Sequence, residues 1–230
     1  MTKDNSPKKN VKTTKKYIDK GRQVYEQEDY RSAISNFDEA IRLNPNDAKV
    51  YYNRGVSKYK LEQYFEAISD YNEAIRLDPN FAVAYNNRGV VKYKLGHPKD
   101  AIPDFNEAIR LDPKYVKAYG NRALAKSEIG QHFESISDLD IMIRLEPEND
   151  IAYNDRGFEK ANLGHHDIAI SDFNEAIKIN PDYTNAYFNR GLSKKEMGLD
   201  AEANQDFNKA LSLAEVAGDM ELISKIKKQI

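Results

Sequence analysis

The charged side chains that could do chemistry in this sequence recur at a fixed spacing and do not converge on one place. Five arginines are each followed four residues later by a lysine, and sixteen residues after each arginine stands an aspartate. These Arg–Lys–Asp sets are Arg54, Lys58 and Asp70; Arg88, Lys92 and Asp104; Arg122, Lys126 and Asp138; Arg156, Lys160 and Asp172; Arg190, Lys194 and Asp206. Such groups either pair with one another or present two cations to an acidic ligand.

Groups that could carry catalysis are sparse. The chain has no cysteine, and its four histidines, His97, His132, His165 and His166, are spread along the sequence. A metal site or a nucleophile with its base requires convergence, and no glycine-rich phosphate loop or serine elbow is present. The sequence therefore predicts no catalytic residues, no metal site, no cofactor and no enzymatic activity.

The sequence segments that carry the Arg–Lys–Asp sets repeat with a period of 34 residues. Prolines mark this period at Pro45, Pro79, Pro113, Pro147 and Pro181, and tyrosines mark it at Tyr17, Tyr51, Tyr85, Tyr119, Tyr153 and Tyr187. A period of this length is typical of stacked helical hairpins. We divide the chain into a flexible basic tail (1–13), six repeats (14–47, 48–81, 82–115, 116–149, 150–183 and 184–217) and a C-terminal capping helix (218–230).

The third repeat shows why each copy should form two helices. Apolar and small residues recur at helical spacing up to Leu95, Gly96 interrupts them, and a second helical pattern ends at Asp112-Pro113. Gly89 should let the two helix axes approach, with Phe105 filling the space beside it. The fold class predicted from this pattern is all-α.

The first repeat indicates how the Arg–Lys–Asp sets pair. It carries Lys20, Val24 and Asn36 where the other five repeats carry Arg, Lys and Asp, so the three residue types are present or absent together. We therefore expect each Asp to pair within its own repeat. The alternative, in which Arg and Lys face a groove and hold an acidic ligand, stays open at this stage.

These repeats resemble the tetratricopeptide repeat family over about residues 14–217. The family pattern of aromatic, glycine, alanine, aromatic, alanine and proline is matched by Tyr51, Gly55, Ala67, Tyr71, Ala74 and Pro79, and again by Tyr153, Gly157, Ala169, Phe173, Ala176 and Pro181. Tyrosine replaces the usual tryptophan, and the fourth repeat departs furthest. The resemblance implies a right-handed superhelical solenoid of six stacked helix-turn-helix repeats, with the first helices lining a concave groove.

The resemblance also implies a partner-binding site on the first helices. Asparagines precede the arginines in four repeats, and some arrays of this family hold an extended peptide with a similar ladder of side-chain amides. The candidate contact residues are Asn53, Asn87, Asn121 and Asn189, with Tyr59, Tyr93, Val90 and Leu124 as apolar neighbours. The alternative is that these residues pack between repeats.

Composition narrows the class of partner. The formal net charge is -2 in 230 residues, with 31% charged residues, which gives no overall attraction to nucleic acid or anionic lipid. We therefore predict a protein or peptide partner, no nucleic acid and no membrane. The absence of cysteine favours a reducing, cytoplasmic location, and we also expect a monomer. Leu222, Ile223, Ile226 and Ile230 mark one apolar face of the C-terminal capping helix. The alternatives are that the basic tail is an electrostatic arm and that the C-terminal helix is a membrane anchor.

Two functions remain after these exclusions. The first is a non-enzymatic protein–protein interaction scaffold that binds a peptide segment of a partner in the concave groove. The alternative is a structural or assembly subunit that joins a larger complex or self-associates through the ends of the array. The repeats specify shape more than ligand, so the sequence identifies no particular partner.

Overall fold

The computed structural model describes residues 7–230, with side chains from residue 11 onward. Within this part of the chain there are thirteen α-helices and no strand, which confirms the all-α prediction. The helices are α1 (Pro7–Glu26), α2 (Tyr30–Leu43), α3 (Ala48–Lys60), α4 (Tyr64–Leu77), α5 (Ala82–Lys94), α6 (Pro98–Leu111), α7 (Val116–Glu128), α8 (His132–Leu145), α9 (Asp150–Asn162), α10 (His166–Ile179), α11 (Thr184–Glu196), α12 (Asp200–Ala217) and α13 (Met220–Lys227).

The chain forms two compact units, one ending at Ala118 and the other spanning Tyr119–Ile230. In the N-terminal unit each helix packs on the next from α1 to α6, and α3 also contacts α1 and α5. In the C-terminal unit α9 packs against α8, α10 and α11, while α12 packs against α11 and α13. In both units the odd-numbered helices up to α11 are the first helices of their repeats, and these helices carry the candidate contact residues.

A glycine facing an aromatic ring brings the two helices of a hairpin together. A Cβ atom added to Gly89 would lie 2.7 Å from Cε1 of Phe105, and one added to Gly157 would lie 2.8 Å from the same atom of Phe173. Real Cβ atoms do not approach carbon this closely, so only glycine fits at this contact. The small-against-large packing predicted from the third repeat is therefore present in both units.

The fourth repeat, which departs most from the family pattern, is packed with different residues. Leu139 is buried at the position of the aromatic ring, and Ala123 is buried at the position of the glycine. Ser135 replaces the small alanine, and its hydroxyl donates a hydrogen bond to the carbonyl oxygen of Ala123 at 3.0 Å. This bond satisfies a polar group that would otherwise be buried without a partner.

The turn inside each hairpin requires a left-handed backbone. Gly96 has φ +79° and Gly164 has the same value, as glycine readily allows. In the first two repeats the equivalent residues are Glu28 (φ 61°) and Glu62 (φ 59°). A side chain with a Cβ is less favourable in this conformation, so these two turns store backbone strain.

The two ends of the chain differ from the predicted boundaries. Helix α1 begins at Pro7, so residues 7–13, predicted to lie in the flexible tail, are helical, and residues 1–6 lie outside the described residues. At the other end Gly218 ends α12 with φ 71°, and Asp219 accepts a hydrogen bond from the Leu222 amide at the start of α13. The prediction that Ile230 lies on the apolar face of that helix is wrong, because this residue follows α13 and is exposed.

Candidate functional site

Each Asp of the Arg–Lys–Asp sets is bonded by the Arg and the Lys of its own repeat. The Arg Nη2 to Asp Oδ1 distances are 2.5–2.6 Å, and the Lys Nζ to Asp Oδ2 distances are 2.7–2.8 Å. The Asp side chains are only 3–6% exposed. The structure therefore agrees with the predicted pairing within each repeat, and the buried carboxylates make these contacts architectural.

The arginines also bond to the preceding repeat, which the sequence analysis did not predict. Their Nη1 atoms donate at 2.6–2.7 Å to Asp or Asn side chains on the second helix of that repeat. The pairs are Arg54 with Asp38, Arg88 with Asn72, Arg156 with Asp140 and Arg190 with Asn174. Each guanidinium also lies 5.4–5.5 Å from the centre of the periodic tyrosine ring three residues earlier. These contacts occupy the guanidinium donors and do not favour the alternative of an acidic ligand.

In the N-terminal unit the candidate asparagines are partly used within the protein. Nδ2 of Asn87 donates to the hydroxyl of Tyr52 at 3.1 Å, and Oδ1 of Asn87 accepts from Asn86 at 3.2 Å. The buried Nδ2 of Asn53 has no hydrogen-bond partner among the residues that the structure describes. The apolar candidates Tyr59, Tyr93 and Val90 are half-buried, and the ring of Tyr59 packs on that of Tyr64 at 5.8 Å.

A cleft of about 400 Å³ lies beside α1 and α3 in this unit. Its walls include the aromatic rings of Tyr25 and Tyr52 together with Val56, and Asn53 also faces it. The side chains of Arg22 and Glu26 supply one charge of each sign. This N-terminal cleft is therefore aromatic and carries no excess of either charge.

In the C-terminal unit the candidate Asn189 takes part in a short chain of side-chain hydrogen bonds. Nδ2 of Asn189 donates to Oδ1 of Asn154 at 3.0 Å, and Nδ2 of Asn154 donates to Oδ1 of Asp155 at 3.0 Å. Candidate Asn121 is half-buried on α7, and candidate Leu124 on the same helix is 52% exposed. Hydrogen bonding between neighbouring first helices thus fixes the orientation of the Asn189 amide.

A second cleft, of about 250 Å³, lies on the first helices α7, α9 and α11 of this unit. Leu124 and Phe158 line it and remain 52% and 44% exposed, and Asn185 and Asn189 add side-chain amides. Asp155 and Glu159, one helical turn apart on α9, place carboxyl groups in the same cleft. Apolar contacts and side chains able to donate and accept hydrogen bonds therefore meet on one surface.

The sequence analysis missed the two carboxyl residues of this C-terminal cleft. The pKa of Asp155 is raised to about 6, mainly by burial; the hydrogen bond from Asn154 lowers it, and the nearby charge of Glu159 adds a smaller increase. Oε2 of Glu159 lies 2.7 Å from Nδ1 of His132, and the Glu159 side chain is 4% exposed. A comparison of the repeats could have singled out Glu159, because the same position holds Gln23, Ser57, Val91, Ala125 and Ser193 in the other five repeats.

These features define the class of protein. It is an array of helical hairpins, and the first helices of the hairpins carry a cleft in each unit. A family model described as TPR repeat matches residues 21–62, 57–96 and 159–198, which is half of the chain. Models described as tetratricopeptide repeat match residues 82–115 and 184–216. The chain belongs to the tetratricopeptide repeat family, and proteins of this family are generally non-catalytic interaction scaffolds.

Solved structures of this family are similar to the chain. The MamA protein is 29% identical with a TM-score of 0.68, covering 76% of this chain and 95% of MamA. YrrB, described as a TPR protein with an unusual peptide-binding site, is 24% identical with a TM-score of 0.68, covering 84% of this chain and 97% of YrrB. PilF of Pseudomonas aeruginosa is 14% identical with a TM-score of 0.78, covering 96% of this chain and 99% of PilF. A comparison with curated proteins found no match.

These similarities confirm the predicted solenoid of helical repeats and support a protein-interaction scaffold. At identities below 25%, YrrB and PilF show the fold alone. Among the described residues, no helix is both long and apolar enough to cross a membrane.

Proposed function

We propose that this protein is a non-enzymatic scaffold that binds a peptide segment of a partner protein on its first helices. The observation that carries the proposal is the C-terminal cleft, where Leu124 and Phe158 remain exposed beside the amides of Asn185 and Asn189. Large apolar side chains kept in contact with water next to oriented polar groups are typical of binding surfaces. A bound segment would cover the two apolar side chains while its main chain exchanges hydrogen bonds with the amides.

Some of the predicted contact residues line one of the two clefts and the others do not. Leu124 and Asn189 belong to the C-terminal cleft, and Asn53 belongs to the N-terminal one. Asn87, Asn121, Tyr59, Tyr93 and Val90 lie on the same set of first helices outside the linings of these clefts. We keep the whole set as candidate contacts, with the cleft residues as the ones to test first.

The test is selection of peptides on the immobilised full-length chain from a random-peptide display library, followed by titration calorimetry. Phe158→Ser should weaken the selected peptides about tenfold or more, because it removes apolar surface that binding would bury. The matched control is Phe133→Ser, which removes a ring that is 67% exposed on a second helix of the same unit and should leave affinity unchanged. Equal loss in both variants, or failure to select any peptide, would contradict the proposal.

A second candidate function, assembly of copies through the end of the array, is favoured by one observation. Val216 and Met220, where α12 meets α13, are 88% and 74% exposed. We expect a monomer, and sedimentation at several concentrations separates the two functions. A dimer that Val216→Ser dissociates would instead support assembly.

A further inference from the structure

We propose that the N-terminal cleft is a further recognition site, which takes a tyrosine side chain of the partner and holds its phenol hydroxyl on the amide of Asn53. This inference rests on the proposed function, because it requires a partner segment to lie on the first helices. It goes beyond that function by naming the side chain that the segment must present. It also gives a role to a buried amide that packing between the repeats leaves unpaired.

In two other repeats the corresponding amide is used between successive first helices. Nδ2 of Asn87 donates to the hydroxyl of Tyr52 at 3.1 Å, and Nδ2 of Asn189 donates to Oδ1 of Asn154 at 3.0 Å. In both pairs the acceptor stands 35 residues before the asparagine, on the first helix of the preceding repeat. The donors of these two asparagines are therefore occupied in joining neighbouring repeats.

The contact between the first two repeats breaks this pattern. The residue 35 positions before Asn53 is Ile18, whose side chain can accept no hydrogen bond. Nδ2 of Asn53 is buried and, within the part of the chain that the structure describes, has no hydrogen-bond partner. A buried donor without an acceptor is unfavourable, so this amide is placed to bind an acceptor that a partner supplies.

The surroundings of this amide indicate what should carry the acceptor. Asn53 lines the N-terminal cleft of about 400 Å³, and so do the rings of Tyr25, Phe37 and Tyr52. Phe37 stands where the second repeat has Tyr71, so the first repeat lacks a hydroxyl that the second has. The charged lining residues, one arginine and one glutamate, give no excess of either charge. The cleft therefore suits one neutral aromatic side chain.

The second repeat shows which side chain satisfies an amide at this position. Tyr52 stands in place of Ile18, and its hydroxyl accepts the hydrogen bond from Asn87. A tyrosine of a partner would supply to Asn53 the same kind of acceptor that Tyr52 supplies to Asn87. A phenylalanine would bury a similar ring in the cleft but would leave the amide unpaired.

The experiment uses the isotope-labelled full-length chain and two blocked pentapeptides of the form acetyl-Ala-Leu-X-Leu-Ala-amide. X is tyrosine in one peptide and phenylalanine in the other, so the two differ by a single hydroxyl. The tyrosine peptide should shift the NMR signals of Tyr25, Asn53 and Val56. Titrations followed at these signals should give an affinity about fivefold higher for the tyrosine peptide than for the phenylalanine peptide.

Two variants test the amide in different ways. Asn53→Leu removes the donor, whereas Ile18→Asn keeps the donor and gives it an internal acceptor, as Asn154 does for Asn189. Each should reduce the tyrosine preference to less than about twofold. Ile18→Val is the matched control, because it leaves the donor unpaired and should preserve the preference.

Equal affinities for the two peptides would overturn the inference, because the amide would then bind an acceptor that both peptides have, such as a main-chain carbonyl. Absence of shifts at the three cleft residues would overturn it as well, and so would a tyrosine preference that survives both Asn53→Leu and Ile18→Asn. The peptides selected in the Phe158→Ser experiment test the proposed function separately, because that experiment reports on the C-terminal cleft.

Discussion

The clefts of the two units are built from the same repeat template but carry different charge. The N-terminal cleft is walled by Tyr25 and Tyr52 and balances Arg22 against Glu26. The C-terminal cleft places Asp155 and Glu159 together without an arginine or lysine among its lining residues. Because the helices that carry the clefts are equivalent, the difference comes from a few side chains. The repeat thus fixes the scaffold, and single substitutions within it set the charge of each cleft.

The largest expected effect tests what the two units have in common. Asp104→Ala in the N-terminal unit and Asp172→Ala in the C-terminal unit each leave a partly buried Arg and Lys without their shared carboxylate. Each should lower the free energy of unfolding by about 3–5 kcal/mol. Urea titration followed by circular dichroism checks both. If either variant lowered the free energy of unfolding by less than about 1 kcal/mol, the ion pairs of that Asp would contribute no more than solvent-exposed ion pairs do.

The next effect tests whether a carboxylate is less favourable than an amide at the same repeat position in both units. Burial raises the pKa of Asp155 to about 6, so the folded state holds a proton that the unfolded state releases at lower pH. Stability is therefore lost as pH rises from about 4 through about 6. Asp155→Asn should remove this loss and stabilise the protein by about 1–3 kcal/mol near pH 7.5, and by about half as much near pH 5.

The reverse exchange at the equivalent position of the N-terminal unit is Asn87→Asp. It replaces a half-buried amide by a carboxylate, whose charged form is unfavourable away from water. We expect a destabilisation of about 1–3 kcal/mol near pH 7.5. Thermal unfolding of both variants at two pH values tests the pair. Stabilisation by Asn87→Asp, or a pH-independent effect of Asp155→Asn, would contradict the electrostatic account.

The smallest effect concerns the hairpin turns. Glu62 in the N-terminal unit has φ 59°, whereas Gly164 at the equivalent position of the C-terminal unit has φ 79° and no atom within 4 Å of an added Cβ. Glu62→Gly should stabilise by about 0.5–1 kcal/mol, and Gly164→Ala should destabilise by about 1 kcal/mol. Urea midpoints check both signs. A destabilising Glu62→Gly would mean that the side chain makes contacts that outweigh the backbone strain.

The sequence predicted well those features that repeat. The prolines and glycines of the period placed the ends of the helices, and the joint absence of Arg, Lys and Asp from the first repeat gave the pairing that the structure has. Both predictions depend on local backbone preferences or on charges that must be compensated. A regular pattern makes such signals visible several times over.

Features that occur once were harder to predict. Asp155 and Glu159 are ordinary acidic residues in a helix with many charges, and only the packing of α9 against α8 and α11 buries them. The amide of Asn87 could have faced a ligand, but its orientation depends on the position of Tyr52 in the preceding repeat. Helix α1 extends to Pro7 because a proline is acceptable in the first turn of a helix, although the lysine-rich segment lacks apolar periodicity.

Four of the arginines bind side chains in two successive repeats, and this bears on how duplication could lengthen the chain. Arg88 holds Asp104 of its own repeat and Asn72 of the repeat before it, and Arg190 holds Asp206 and Asn174 in the same way. A 34-residue repeat duplicated inside either unit would carry its own arginine and also the second-helix Asp or Asn that the arginine of the next repeat binds. Gene duplication could therefore lengthen the protein without creating an unmatched junction, and the new copy would be free to acquire its own recognition residues.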